Sequence, residues 1–134
     1  MAIKVPNTGE VLLLQELVSY LNSLVIDLYQ NNYTPVDTSL AADFTVATFD
    51  GYAQKTLDTF AAAFLNGNDK AETDHLLLTW VSTGVTANTI YGYYVRTSGG
   101  LLVYAERNPT GGTLIDAIGE SYSILPRFTL ATEL

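Results

Sequence analysis

The residue types that most often carry chemistry are sparse in this sequence, and one adjacent pair is the first candidate. Asp74 precedes His75, which is the single histidine. In hydrolase triads an aspartate orients a histidine that activates a serine, so Ser82 or Thr79 would have to be the nucleophile here. No nucleophile elbow or other known arrangement orders these residues. We therefore interpret His75 as a surface or loop residue and expect a protein that is not an enzyme, with no catalytic residue.

A cluster of oxygen-bearing side chains is the second candidate, for calcium. Asn68, Asp69, Glu72 and Asp74 offer the oxygen ligands that Ca²⁺ takes in proteins. The spacing lacks the glycine and the closing bidentate glutamate of an EF-hand loop. A glycosidase pair would need a defined separation between two carboxylates, which this spacing does not supply. We interpret the segment as a solvated acidic loop and predict no metal site.

Cysteine chemistry and phosphate binding have no support either. The chain has no cysteine, which excludes disulfides, thiolate catalysis and zinc–thiolate sites. Gly111 and Gly112 follow Pro109, but no Lys-Ser/Thr pair comes after them, so they indicate a turn and not a phosphate-binding loop. We predict no cofactor.

Composition indicates a surface that is poor in charge. Apolar residues make up 48% of the chain and charged residues 15%, against about 25% charged in ordinary globular domains. Part of the surface is therefore expected to be covered by something other than water. The net charge of −8 with six Lys and Arg argues against binding to nucleic acid or to an anionic membrane. The apolar stretches are interrupted by polar residues, so no membrane span is expected.

Tyrosine is the enriched aromatic type, with nine copies. Tyr91, Tyr93, Tyr94 and Tyr104 all lie on one predicted hairpin. Aromatic side chains on a sheet can form a core, anchor a protein interface or stack on sugars. All three interpretations remain open, with the core preferred over the interface and the interface over the sugar platform.

One helix is predicted, over residues 8–22. Asn7 is placed to cap its first turn, and Glu10 three residues later completes the pattern of a capping box. Leu12 and Leu13 widen the apolar face, so we expect this helix to be covered on more than one side. The apolar residues that recur at helical spacing are Val11, Leu14, Leu17, Val18 and Leu21.

The rest of the chain has the alternation and the turn residues of short strands. We predict a single domain over 1–134, in which an extended N-terminal arm (1–7) and the helix (8–22) precede a β domain (23–134). The fold class is mostly β, a β-sandwich or barrel-like roll of about seven to eight short antiparallel strands with one N-terminal helix. The predicted strands are 23–30, 44–49, 52–57, 59–65, 76–82, 90–97, 101–107 and 120–131, of which 59–65 is ambiguous between strand and helix.

Several short motifs occur together in an order that is more specific than any one of them. The motifs are residues 9–13, 28–32 with Thr34-Pro35, 44–52, 90–95, 101–107, and Gly119-Glu120 leading into 124–130. This series resembles small virion structural proteins of tailed bacteriophages, most of all the capsid decoration (cement) proteins of cyanophage-like viruses. The resemblance covers most of the chain and fades over residues 59–75.

This resemblance implies a function without catalysis. A capsid decoration protein binds the outer surface of the head and bridges major capsid subunits to stabilise the shell. Its partners would be the major capsid protein and further copies of itself, as a homotrimer or homodimer, with no nucleic acid and no membrane. It would be assembled in the host cytoplasm and reside in the virion, on the outer surface of the capsid. The alternative is a tail-fibre or receptor-binding module that recognises host glycans through surface tyrosines.

Two regions are predicted to form the protein interface. The first is the N-terminal arm, which can drape over a neighbour and become ordered on binding. The second is the tyrosine-rich hairpin. The predicted interface residues are Ile3, Val5, Pro6, Tyr91, Tyr93, Tyr94 and Tyr104.

Overall fold

A computed structural model describes residues 3–130 of the chain. These residues divide into two compact units, each assembled from separate segments. We call residues 3–23, 57–78 and 124–130 the helix unit, and residues 24–56 and 79–123 the sheet unit. The predicted boundaries at 7/8 and 22/23 therefore do not coincide with these units, because the helix unit takes in later segments of the predicted β domain.

One α-helix and eleven short strands make up the regular structure of residues 3–130. A single 3₁₀ turn, Ala41–Asp43, lies between the first two strands. In chain order the elements are α1 (Asn7–Leu21), β1 (Val25–Tyr29), β2 (Lys55–Thr56), β3 (Phe64–Leu65), β4 (Ala71–Asp74), β5 (Leu78–Val81), β6 (Asn88–Ile90), β7 (Gly92–Arg96), β8 (Leu102–Arg107), β9 (Thr113–Ile115), β10 (Ser121–Ile124) and β11 (Arg127–Leu130).

In the helix unit, one side of α1 packs against a three-stranded antiparallel sheet. The sheet has the order β11-β4-β3, so β4 is its central strand and β3 one of its edges. Leu14, Val18 and Leu21 form the buried stripe of α1. These residues recur at spacings of three and four, which places them on one face of a helix.

The ends of α1 differ from the prediction in one respect. The helix lies within one residue of the predicted 8–22, but Asn7 is its first helical residue and not its cap. The N-cap position belongs to Pro6, and within residues 3–130 no side chain caps this end of the helix. The predicted capping box is therefore wrong, and the Glu10 N–H instead donates to the Pro6 carbonyl at 3.0 Å.

The sheet unit is built around a four-stranded antiparallel sheet of order β2-β1-β7-β8. All five residues of β1 are buried. Phe44 packs on the sheet, with its ring stacked on Tyr94 at 4.7 Å between centroids and edge-on to Tyr29. The pairs β5–β10 and β6–β9 account for the remaining strands.

A buried carboxylate lies in the centre of this sheet. Asp27 of β1 is buried and accepts hydrogen bonds from the Tyr52 hydroxyl at 2.8 Å and from Arg96 Nε at 3.1 Å. The same Tyr52 oxygen accepts the backbone N–H of Leu28 at 2.9 Å. Burial, together with the Asp27 carboxylate, raises the pKa of Tyr52 well above that of a free phenol. These hydrogen bonds stabilise the negative charge of Asp27, which would otherwise be costly to bury.

The mostly-β fold with one N-terminal helix is confirmed, but the strand count was too low. Two predicted strands are each divided: 120–131 breaks at Pro126 into β10 and β11, and 90–97 breaks at Tyr91 into β6 and β7. None of the sheets in residues 3–130 closes on itself, so the barrel-like alternative is wrong. The β-sandwich stays a prediction, and Ala131 lies outside the described residues.

One predicted strand, 44–49, is replaced by an irregular segment with a single bridge between Tyr29 and Val46. Two backbone bonds accompany this bridge, from the Gln30 N–H to the Thr45 carbonyl at 2.8 Å and from the Ala47 N–H to the Leu28 carbonyl at 2.9 Å. Side-chain amides bond other backbone groups of the segment. Asn31 accepts the Thr45 N–H at 2.8 Å, and Asn88 accepts the Thr48 N–H at 2.6 Å. Because these bonds come from side chains distant in sequence, the alternating pattern alone could not reveal them.

Candidate protein interface

The side of α1 that faces away from its buried stripe is apolar and exposed. Leu12 and Leu13 are 69% and 51% exposed, and Leu17 and Tyr20 are exposed as well. We call these four residues the apolar arc, because they lie within about 140° of one another around the helix axis. Glu16 is the one charged side chain within the arc. The sequence predicted that α1 is covered on more than one side, yet the described chain leaves the arc open.

An open groove connects the apolar arc to the sheet of the same unit. Its volume is about 350 Å³. Leu65, which contributes to its wall, belongs to edge strand β3, and both residues of that strand are exposed. The arc and β3 therefore form one exposed apolar surface. The groove is lined by Asn7, Thr8, Val11, Leu12 and Leu65.

Residues 3–6 of the predicted N-terminal arm precede α1, and Asn7, predicted as its last residue, already belongs to the helix. Ile3 is 85% exposed, Pro6 is exposed and Val5 is half-buried. Met1 and Ala2 lie outside the described residues. The role of Ile3, Val5 and Pro6 in a contact stays a prediction.

The tyrosine-rich hairpin exists, as β7 and β8, but two of its tyrosines belong to the core. Tyr93 and Tyr94 are buried. The Tyr93 hydroxyl donates to Glu106 at 2.7 Å, and burial raises the pKa of Tyr93 far above that of a free phenol. Their assignment to the interface is therefore wrong, because β7 lies between β1 and β8 and both its faces are covered.

The other two predicted tyrosines are partly buried. Tyr104 meets the ring of Tyr93 edge-on at 6.3 Å, and burial raises the pKa of Tyr104 to about 12. The guanidinium of Arg107 lies over the ring of Tyr91 at 5.2 Å. Tyr91 and Tyr104 thus retain some exposed surface, and their place in an interface stays a prediction.

The segment interpreted as a solvated acidic loop is only partly a loop: Asn68 and Asp69 are exposed in the turn after β3, whereas the residues that follow belong to the sheet. Residues 71–74 form β4, and Glu72 is buried within it. Glu72 accepts hydrogen bonds from Asn66 at 2.7 Å and pairs with Arg127 of β11 at 3.0 Å. Arg127 also pairs with Asp74 at 2.8 Å. These carboxylates are neutralised by a cation on the neighbouring strand and do not gather around an empty centre.

His75 is buried and not a surface residue, which corrects the prediction. Its Nε2 accepts the backbone N–H groups of Asp58 and Thr59, each at 3.1 Å. Its Nδ1 lies 2.8 Å from the carbonyl of Leu76 and donates to it. The ring therefore joins the segment after β2 to the end of β4, and it packs edge-on against Phe60 at 5.1 Å.

The other residues of the hypothetical triad bond to partners other than His75. Asp74 pairs with Arg127, Ser82 Oγ donates to the Gly84 carbonyl at 3.1 Å, and Thr79 shares a hydrogen bond with Ser123 at 2.8 Å. The hydrolase hypothesis for Asp74 and His75 therefore gains no support from their geometry. Within residues 3–130, no group of three or more His, Asp or Glu side chains is placed to hold a metal ion.

Sequence reasoning missed three features of this unit: the exposure of the apolar arc, the strand β4 and the buried carboxylate of Glu72. Strand β3 lies within the predicted strand 59–65. The Asn66-Gly67 dipeptide that follows it is a hairpin signal, and it could have indicated that a second strand comes after the turn. In the described part of the chain, no helix combines the length and the apolar composition that crossing a membrane requires. No family model matches this chain, and no curated protein or solved structure is significantly similar to it.

Proposed function

We propose that this protein is a capsid decoration protein of a tailed phage, located in the virion, which binds the outer surface of the head and bridges neighbouring major capsid subunits. The observation that carries the proposal is the exposed apolar surface formed by the apolar arc and β3. An apolar helix face is normally buried, and α1 carries the apolar arc in addition to its buried stripe, so α1 needs a second covering partner. The order of the sequence motifs favours a capsid subunit as that partner.

The size of this surface supports a contact with a protein. Six side chains together expose an area on the order of 500 Å², near the upper end for the largest apolar patch of an ordinary monomer. Each partner contributes about 800 Å² to a standard protein interface, so this apolar surface is large enough to form the apolar centre of such an interface. The six residues are Leu12, Leu13, Leu17, Tyr20, Phe64 and Leu65.

Charge indicates what the partner presents. Glu16 lies within the apolar arc, and the chain as a whole carries a net charge of −8. A second copy meeting this surface would bring like charges together, which disfavours the contact. A capsid surface with an apolar patch and a Lys or Arg opposite Glu16 would be complementary. We therefore assign the apolar arc to the capsid and not to self-association.

The experiment uses heads of the virus that encodes this chain, assembled without it. Purified wild-type protein should bind these heads and raise the temperature at which they rupture. Leu13→Glu should abolish binding, because it places a charge in the centre of the apolar arc. The matched control is Leu114→Glu, since Leu114 of β9 is 54% exposed and Leu13 is 51% exposed. The control should bind as wild type does.

Two outcomes would contradict the proposal. One is an equal rupture temperature for heads with and without bound wild-type protein. The other is equal binding by wild type and Leu13→Glu, which would mean that the apolar arc is not the attachment surface. The glycan-binding alternative has no comparable support, because Tyr93 and Tyr94 are buried and have no free ring face to stack on a sugar.

A further inference from the structure

We propose that Asn66 is a site of spontaneous deamidation, which the folded helix unit protects and which reacts when the turn between β3 and β4 opens. This inference does not depend on the capsid contact assigned to the apolar arc. Asn66-Gly67 is the single Asn-Gly pair of the sequence. Asparagine loses its side-chain amide most readily before glycine, because glycine has no Cβ to hinder attack by its own backbone nitrogen.

The attacking group of this reaction is accessible in the fold. Gly67 is exposed, and a Cβ placed on it would meet no atom within 4 Å. Within residues 3–130, no hydrogen bond engages the Gly67 N–H. Solvent can therefore reach this N–H, and any protection against the reaction has to come from the side chain of Asn66.

Three hydrogen bonds hold the Asn66 side chain, which is half-buried. Its Oδ1 accepts the Asn68 N–H at 2.9 Å and the Lys70 N–H at 3.1 Å. Its Nδ2 donates to the Glu72 carboxylate at 2.7 Å, a distance typical of a hydrogen bond to a charged group. Asn66 Cγ can turn towards the backbone nitrogen of Gly67 only after these bonds break.

The acceptor Glu72 is itself fixed in position. It is buried in β4, and Arg127 of β11 pairs with it at 3.0 Å. The backbone of the turn is held as well, because the Asn66 N–H donates to the Lys70 carbonyl at 2.9 Å and the Asp69 N–H donates to the Asn66 carbonyl at 3.2 Å. Protection of Asn66 therefore depends on the pairing of the strands in this unit.

Once the turn opens, the reaction needs only water. The Gly67 nitrogen loses its proton to solvent and attacks Asn66 Cγ, which forms a new N–C bond. The Cγ–Nδ2 bond breaks, and Nδ2 takes up a proton and leaves as ammonia. Water then opens the resulting succinimide at one of its two carbonyls, which leaves aspartate or isoaspartate at position 66.

The product cannot restore the original turn. A carboxylate at position 66 has no N–H to donate to Glu72, and it brings a second negative charge close to a buried carboxylate. The turn that joins β3 to β4 is weakened as a result. Deamidation at Asn66 therefore marks chains whose helix unit has opened, and it lowers the stability of that unit afterwards.

The test compares rates of deamidation by mass spectrometry. Folded wild-type protein and a synthetic peptide of residues 62–71 are incubated in the same mildly alkaline buffer. The folded protein should react at least about thirtyfold more slowly, because three hydrogen bonds must break before the side chain can turn. Gly67→Ala should slow the reaction of the peptide, since the added methyl group hinders attack by the backbone nitrogen.

Two variants of the full chain test the role of Glu72. Glu72→Leu removes the acceptor of Asn66 Nδ2 and should speed deamidation of the folded protein about tenfold. Arg127→Leu is the matched control, because it removes the same ion pair but keeps that acceptor, and it should react far more slowly than Glu72→Leu. Circular dichroism establishes that both variants are folded under the conditions of the assay.

A third pair of variants tests the effect of the product. Asn66→Asp should unfold at a lower urea concentration than wild type. Asn68→Asp adds the same charge at an exposed residue of the same turn, and it should unfold close to wild type. Equal midpoints for Asn66→Asp and Asn68→Asp would contradict the destabilising effect of the new carboxylate.

The proposal is overturned if folded wild type deamidates within about threefold of the peptide rate, because the turn would then give no protection. An unchanged rate in folded Glu72→Leu would overturn the assignment of that protection to Glu72. If Glu72→Leu does not fold, the comparison between folded wild type and the peptide decides the outcome.

Discussion

Replacing Tyr52 by phenylalanine should destabilise the sheet unit, because one hydroxyl there serves two buried groups. The Tyr52 oxygen donates to the Asp27 carboxylate at 2.8 Å and accepts the Leu28 N–H at 2.9 Å. Tyr52→Phe keeps the ring and removes both bonds. Asp27 then retains Arg96 as its partner, while the Leu28 N–H loses its acceptor.

The magnitude follows from these two losses. A hydrogen bond to a charged group contributes about 1.5–3 kcal/mol, and leaving a buried N–H unsatisfied costs about 1–3 kcal/mol. Partial access of water to the site of the lost hydroxyl reduces the sum. We therefore expect the free energy of unfolding to fall by about 2–4 kcal/mol, a large fraction of the stability of a domain of this size.

Urea unfolding followed by circular dichroism measures this change. Tyr20→Phe is the control, because Tyr20 is 49% exposed on α1, and a surface change of this kind should stay within about 0.5 kcal/mol. A double-mutant cycle with Asp27→Asn should show coupling between the two positions. If Tyr52→Phe changes stability no more than Tyr20→Phe does, the hydroxyl does not hold the Asp27 cluster together and the reasoning is refuted.

Three further predictions follow from other contacts. Hydrogen bonds from the Asp116 and Ala117 N–H groups lower the pKa of Glu120. Their contribution to stability is therefore present above the unfolded pKa of about 4.5 and is lost as the pH falls through the folded value. Glu120→Gln should be less stable than wild type at pH 7 and equally stable in acid, and a pH-independent loss of stability in chemical denaturation would contradict this. His75→Ala should lower the free energy of unfolding by about 2–4 kcal/mol, because two amide donors lose their acceptor, and a loss below about 0.5 kcal/mol in urea unfolding would count against it. Burial raises the pKa of Tyr93, so the stabilising effect of the neutral phenol is complete below the unfolded pKa of about 10 and declines above it. Absorbance at 295 nm should show that Tyr93 ionises only when the protein unfolds in alkali. An unchanged amplitude of the absorbance change on alkaline unfolding in Tyr93→Phe would contradict this.

The helix and the main hairpin could be predicted from local pattern, because their signals lie within the elements themselves. The apolar spacing of α1 placed it to within one residue, and the predicted strands 90–97 and 101–107 contain β7 and β8. The same approach failed for residues 44–49. There the alternation of apolar residues was genuine, but the backbone pairs with β1 only at a single bridge, and side-chain amides from Asn31 and Asn88 bond Thr45 and Thr48. Such bonds depend on residues that are close only after folding.

The candidate site was less predictable, because burial depends on what covers each face. Tyr93 and Tyr94 are adjacent and therefore lie on opposite faces of β7, so one of them would be exposed if only one face were covered, yet both are buried. Glu72 carries a charge that suggests solvent, yet Arg127 on the neighbouring strand allows its burial. Conversely, Leu12 and Leu13 suggested a covered face, and the described chain leaves them exposed. In each case the missing information was the identity of a distant neighbour.

The composition of the helix unit has a consequence for how the chain folds as it is made. Arg127 of β11 and Asp74 of β4 are 53 positions apart, and α1 precedes both. Closing loops of this length before their contacts can form slows folding, as high contact order does generally. During synthesis, α1 emerges long before residues 124–130 exist, so its leucines face water or a chaperone until the final strand of this unit arrives. We therefore expect the unit to form only after translation has passed β11, with a folding rate limited by this late pairing.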